Sequence, residues 1–249
     1  MLRCRRAGAV SGVVRRDSGS GGVMGTIIGE ILPFMIGIAI SPVPIIVVIL
    51  TLLSPRARRS GPGFLIGWMV GILVVLLVLM LLSSVLPSSQ ESDGPHLWQG
   101  AIRLVLGGLL LWLAVKQWRK RPRGEEAPEV PGWMAKVDSC GFGGGIRLGL
   151  VLSIANPKNV ILTVSVAVDL GTGDLTPGRI AIVIVIFALL ASSTVLIPVL
   201  AHLIAADRLK GPLSALHTWL LRENHVIMTV LLVVLGFAVI GRGIGAVWP

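Results

Sequence analysis

Ile36-Gly37-Ile38-Ala39-Ile40-Ser41-Pro42-Val43-Pro44 and, half a chain later, Leu148-Gly149-Leu150-Val151-Leu152-Ser153-Ile154-Ala155-Asn156-Pro157-Lys158-Asn159 decide how this chain is built. Each stretch is apolar up to a proline, and each proline falls near the middle of a segment long enough to cross a bilayer. Proline has no N–H and crowds the carbonyl four residues back, and in a bilayer no water replaces the lost bond. Broken spans at corresponding places in two halves of a chain are the sequence mark of a secondary transporter's binding site. The first reading is therefore a membrane transporter.

Composition agrees. Apolar residues make up 54% of the chain and charged residues only 14%, against about 25% charged in a soluble domain. Runs of about 20 apolar residues recur, as in a polytopic membrane protein. The formal charge of +10 does not point to nucleic acid, because the basic residues cluster in particular loops; orientation and anionic lipid explain it better. Cys4 and Cys140 lie outside the spans and form no CxxC, so neither a disulfide framework nor a redox pair is supported.

The hydropathy pattern places spans at about residues 27–53, 64–86, 97–118, 146–168, 180–203 and 226–247. Gly61-Pro62-Gly63, Pro87-Ser88-Ser89, Gly171-Thr172-Gly173 and Thr176-Pro177-Gly178 read as the turns between them. The chain then divides into a tail (1–23), a first three-helix half (24–118), a basic linker (119–145) and a second three-helix half (146–249). Trp98, Trp118, Trp219 and Trp248 fall near span ends, as interfacial aromatics do, whereas Trp68 and Trp112 fall inside spans.

Lysine and arginine set the expected orientation. Arg56, Arg58 and Arg59 follow span one, Arg119, Lys120, Arg121, Arg123 and Lys136 follow span three, and Arg208, Lys210 and Arg222 follow span five. The loops after spans two and four hold only Arg179, beside Glu91, Asp93, Asp169 and Asp174. The linker is thus expected in the cytoplasm, with both termini outside the plasma membrane. Arg3, Arg5, Arg6, Arg15 and Arg16 conflict with that placement, and residues 1–23 lack the apolar core of a signal peptide. Two readings stand: translation starting at Met24, or a genuine tail that is translocated or reverses the topology.

Ile36-Gly37-Ile38-Ala39-Ile40-Ser41 aligns without gaps on Leu148-Gly149-Leu150-Val151-Leu152-Ser153. Both copies lie in the first span of a three-span half and both run into proline. An odd number of spans per repeat inverts one half relative to the other, so the two breaks would face each other near the midplane. The expected fold is all-α: six transmembrane helices as two inverted three-helix repeats, with helices one and four broken. Two ordinary proline kinks are the competing account.

Lys158 lies about 12 positions into span four, so about 18 Å deep. A lysine there is costly unless solvated or paired, which makes it a default functional candidate. Glu30 and Asp169 sit near span ends, and no carboxylate lies at comparable depth. The candidate substrate site is Ser41, Pro42, Pro44, Asn156, Pro157, Lys158 and Asn159. Lys158 either holds an anionic group or caps carbonyls freed by the prolines, and Asn156 and Asn159 suit either substrate or helix ends. Thr163, Ser165, Ser192, Ser193 and Thr194 read as helix-packing residues. Gly67 with Gly71, and Gly107 with Gly108, mark close helix approach, while Arg103 and Arg147 are placed to snorkel to headgroups.

Several chemistries are disfavoured. His96, His202, His217 and His225 are scattered without metal-ligand spacing. There is no HExxH, GxSxG or P-loop, so neither a membrane hydrolase nor a nucleotide hydrolase is indicated, and no cofactor is called for.

The broken spans at Ser41-Pro42-Val43-Pro44 and Asn156-Pro157-Lys158-Asn159, with six helices in two halves and a basic mid-chain loop, resemble the LysE superfamily of small exporters. Within it the pattern is most similar to the Sap family, named for sulfolipid-addressing protein, with its glycopeptidolipid-addressing relatives. The resemblance covers nearly everything after Met24. It implies export of envelope glycolipid, or help in moving it across the plasma membrane. The superfamily's thiol-disulfide carriers place a cysteine in each broken span, and these spans have none. Two other readings remain: an exporter of a small amino acid or other solute, and a non-transporting accessory subunit of an envelope-lipid synthesis or export complex. The partners implied are membrane lipid, an anionic small-molecule or glycolipid substrate, and a second copy or such a complex.

Overall fold

The computed structural model describes residues 20–85, 97–121, 140–172 and 175–247, and every regular element among them is a helix. In chain order these are α1 (Ser20–Ala39), α2 (Pro42–Leu53), α3 (Ala57–Val85), α4 (Leu97–Arg119), α5 (Phe142–Ile154), α6 (Pro157–Thr172), α7 (Pro177–Ala191) and α8 (Ser193–Val247). The tail's residues 1–19, most of the linker (122–139), Glu91, Asp93, His96, Asp174, Trp248 and the side chain of Trp98 lie outside the described residues.

Among the described residues, three helices open on a proline: α2 at Pro42, α6 at Pro157 and α7 at Pro177. The residues before two of these, Ser41 and Thr176, are extended, as a residue preceding proline should be. The missing N–H costs nothing at a first helical position, so each proline fixes where a new helix begins.

Three segments are long and apolar enough to span a membrane alone: Ala57–Leu82, Gln99–Arg119 and Arg208–Val247. Three bent pairs pass the same test together, which gives up to six spans if each bent pair crosses as one. α1 and α2 meet at 52°, α5 and α6 at 67°, and α7 meets the Ser193–Ala206 arm of α8 at 66°. The chain is a polytopic α-helical membrane protein.

The third bend corrects the expectation of an unbroken span over residues 180–203. At Ser192 the chain leaves the helix (φ −99°, ψ 0°), and the N–H groups of Val195 and Leu196 return to the Ser192 carbonyl. No proline is involved. Two further boundaries move. Gly61-Pro62-Gly63 is not a turn but lies inside α3, with Pro62 as its sixth residue. Residues 208–225, expected as a charged loop, are helical: non-helical backbone at Ala205 (φ −140°, ψ 50°) separates the two arms of α8, and the long arm is one helix over Arg208–Val247. Leu209, Leu213, Leu216 and Leu220 recur at helical spacing there.

Small residues draw the helices together, as expected where lipid removes the hydrophobic drive for association. α3 and α5 run parallel in close contact: a Cβ at Gly67 would land on the Ile146 carbonyl, and one at Gly149 on the Phe64 carbonyl. α4 packs antiparallel against the long arm of α8, with Gly100 beside Gly243 and Gly107 beside Gly236 and Ile240. Gly107 is thus a contact residue, whereas Gly108 faces open space. Phe34, Phe64, Trp68 and Phe187 fill the interior, and the Phe64 and Trp68 rings lie nearly parallel with centroids 6.3 Å apart. Trp112, Trp118 and Trp219 are exposed; Lys116 lies over the Trp112 ring and Arg121 over the Trp118 ring.

Candidate functional site

α1 stops at Ala39, and its last carbonyls have no further turn of helix to bond. The main chain meets part of the need: Ile40 N–H donates to the Ile36 carbonyl (2.9 Å) and Ser41 N–H to the Ala39 carbonyl (2.8 Å). The rest comes from distant side chains. Lys158 Nζ donates to the Gly37 carbonyl (2.6 Å) and to the Ile40 carbonyl (3.4 Å). Thr194 Oγ1 donates to the Ala39 carbonyl (2.6 Å). All three breaks therefore converge on the end of α1.

Lys158 is 1% exposed, and its ammonium faces the negative end of the α1 dipole rather than a carboxylate. Asn156 does two jobs with one amide. Its Oδ1 accepts the Lys158 N–H (3.1 Å), capping α6, and its Nδ2 donates to Ser41 Oγ (3.3 Å), tying the second break to the first. Ser41 and Asn159 are buried. The Asn159 carbonyl accepts from Thr163 Oγ1 (2.7 Å), but neither its side-chain amide nor Ser192 Oγ finds a hydrogen-bond partner among the described residues.

A cavity of about 350 Å³ opens against this junction. It is lined by Val43 and Pro44 in the first turn of α2 and by Asn156, Pro157 and Lys158 at the start of α6. Both helix starts present positive dipole ends to the same space. Leu113, Leu152, Met228 and Leu232 form apolar walls, and Lys116, Gln117 and Lys120 stand at the far end of α4. Gln117 Nε2 and His225 Nδ1 lie 3.1 Å apart and join α4 to the long arm. Of the seven residues expected at a substrate site, Pro44, Asn156, Pro157 and Lys158 line the cavity. Ser41, Pro42 and Asn159 sit behind its wall.

Two features escaped the sequence reading. Thr194, taken as a packing residue, caps α1; the signal available was a Ser192-Ser193-Thr194 run in mid-span. Arg103, expected to snorkel, instead pairs with Asp169 Oδ1 through Nη2 at 2.6 Å, while Arg242 Nη1 approaches Asp169 Oδ2 at 3.3 Å. The cause is local: Asp169 is buried at the same level, and the arginine satisfies it. Among the described residues no three of His, Cys, Asp and Glu converge as a metal site would require.

A family model described as Sap, sulfolipid-1-addressing protein, matches residues 31–245. The chain belongs to this family. The match takes in both proline breaks, the Ser192 bend and the Arg103–Asp169–Arg242 cluster. No curated protein and no solved structure matches the chain. In this Sap-family protein, Thr194→Val is expected to leave the Ala39 carbonyl with its main-chain partner alone. That should cost about 1–2 kcal/mol, measured as a lower unfolding temperature in detergent than for Thr194→Ser. Equal values for the two variants would show that the hydroxyl contributes nothing.

Proposed function

We propose that this Sap-family protein is an exporter that moves, or helps to move, envelope glycolipid across the plasma membrane, without catalysis of its own. The cavity at the junction of the breaks is the substrate path, with Ser41, Pro42, Pro44, Asn156, Pro157, Lys158 and Asn159 forming its binding end directly or from behind. One observation carries this reading: the cavity pairs a polar end, built from two helix starts, with apolar walls and a lysine pair at the other end. An anionic amphiphile has matching parts, a charged head for the helix starts and lysines and an apolar body for the leucine walls.

The reading includes a two-half architecture. Residues 24–118 and 146–249 form inverted repeats, and the antiparallel contact of α4 with the long arm pairs span three with span six across the repeat axis. Loop charge places Lys116, Lys120 and the linker in the cytoplasm, so substrate enters from the inner leaflet.

The cavity volume favours a second reading. About 350 Å³ holds a headgroup or an amino-acid-sized solute rather than a whole glycolipid, as an exporter of small solutes requires. Lipid analysis of a deletion strain, with transport in proteoliposomes, separates the two. Loss of outer-envelope glycolipid, restored by the gene and reproduced with purified protein, is the expected result. An unchanged envelope with impaired amino-acid efflux would favour the small-solute exporter. Envelope loss without transport by the purified protein would favour an accessory subunit.

A further inference from the structure

The two ends of the bundle are built differently. At one end α4, α6 and the long arm of α8 stand apart around the cavity, contributing Leu113, Lys158 and Met228 to its lining. At the other end the same three elements converge on one carboxylate. Arg103 of α4 is about 20 Å along the helix from Lys116, and it meets Asp169 of α6, whose side chain is 4% exposed. Arg242 of the long arm meets the other carboxylate oxygen, donates to the Glu30 carbonyl of α1 and lies over the Phe34 ring, 4.5 Å from its centroid. Four helices are thus fastened at the end away from the lysine pair.

An apolar plug would seal that end more cheaply, since buried ion pairs add little stability over well-packed apolar groups. What a charge cluster offers is reversibility: water entering between the helices solvates each partner, so parting them does not leave bare apolar surface. Ser165 lies on the same face of α6, seven residues after Lys158 and four before Asp169, and is 2% exposed. Ser165, between the junction and the cluster along α6, is thus shut off from solvent in this conformation.

We infer that Asp169, Arg103 and Arg242 form the outer gate of an alternating-access cycle, and that this conformation is the one open toward the Lys116–Lys120 end. The inference rests on the transport reading, and it concerns how the site is exposed rather than what it carries. When the cluster opens, the three elements rock so that the cavity narrows at the lysine end.

The test is thiol accessibility in the full-length chain with Cys4 and Cys140 replaced by serine. A single cysteine introduced as Ser165→Cys reports the outer route, and one introduced as Leu152→Cys reports the cavity. With the cluster intact, a membrane-impermeant maleimide added outside should label position 165 slowly, and position 152 should be labelled from the cytoplasmic side. Asp169→Asn should speed outer labelling at 165 about tenfold or more and slow labelling at 152, because removing one partner of a buried pair disfavours the closed state strongly. Asp169→Glu should stay near the parent. Where Asp169→Asn fails to accumulate, Arg242→Gln keeps the Arg103–Asp169 pair, releases α1, and should shift labelling in the same direction. Unchanged labelling at 165 in whichever variant accumulates, or fast outer labelling with the cluster intact, would overturn the gate. A labelling shift without glycolipid transport would uphold the gate and remove the substrate reading instead.

Discussion

Lys158→Leu is expected to stop export and to lower the amount of folded protein more than any other single change at the junction. Leucine fills the space but offers no donor, so the Gly37 and Ile40 carbonyls lose the ammonium that serves both. A buried acceptor stripped of its partner costs about 1–3 kcal/mol, and bilayer depth supplies no water to make up the loss. Lys158→Gln isolates the charge from the capping. Its amide still donates, although the shorter side chain requires α1 and α6 to draw together. If an anionic headgroup engages the ammonium, the Gln variant should insert and unfold at a near-parental temperature yet fail to export. Lys158→Arg should be partly impaired, since a planar fork replaces a point charge in a confined space. The measurements are unfolding temperature in detergent and glycolipid reaching the outer envelope. Parental export by a well-folded Gln variant would reduce Lys158 to a helix cap.

Gly67→Leu is expected to have an effect of similar size through packing alone. The α3–α5 seam leaves no room for a Cβ at Gly67, where the obstacle is the Ile146 main chain rather than a movable side chain. Overpacking in a tight interior costs about 1–3 kcal/mol or more. A branched side chain against backbone should sit at the upper end. Because α5 carries the α6 break on its far end, separating α3 from α5 also shifts Asn156 away from Ser41. The variant should therefore lose both thermal stability and export. Gly108→Leu, at a position facing open space, is the matched control and should behave as the parent. Equal behaviour of the two variants would mean that the seam is not under the constraint described.

The sequence carried the two proline breaks because proline acts locally: it deletes a donor wherever it stands. Ser192 could not be read in the same way. Serine and threonine are compatible with a continuous helix, and only the Ala39 carbonyl, 155 positions away from Thr194, makes use of the hydroxyl. The Arg103–Asp169 pair was hidden for a related reason. Hydropathy gives a residue's depth but not which way it faces around the helix, so two groups at one level looked like separate candidates for the headgroup region. The long arm was missed because Arg208, Lys210 and Arg222 suggested a loop, although Leu209, Leu213, Leu216 and Leu220 already showed a helical face. At the candidate site the sequence named residues around the breaks but not which of them line the cavity. Pro44 and Lys158 line the cavity and Asn159 does not, which depends on how the two breaks pack together in space.

The side chains that cap α1, Lys158 and Thr194, both lie in the later part of the chain. The ribosome delivers the first three spans before either exists. Until residues 158 and 194 have been synthesised and inserted, the end of α1 carries open carbonyls at a depth where lipid cannot satisfy them. The early spans must then wait in a shallower position, at a watered seam of the insertion machinery, or beside a temporary donor. Closure of the end of α1 is therefore a late step, complete only once α6 and the first arm of α8 are in place.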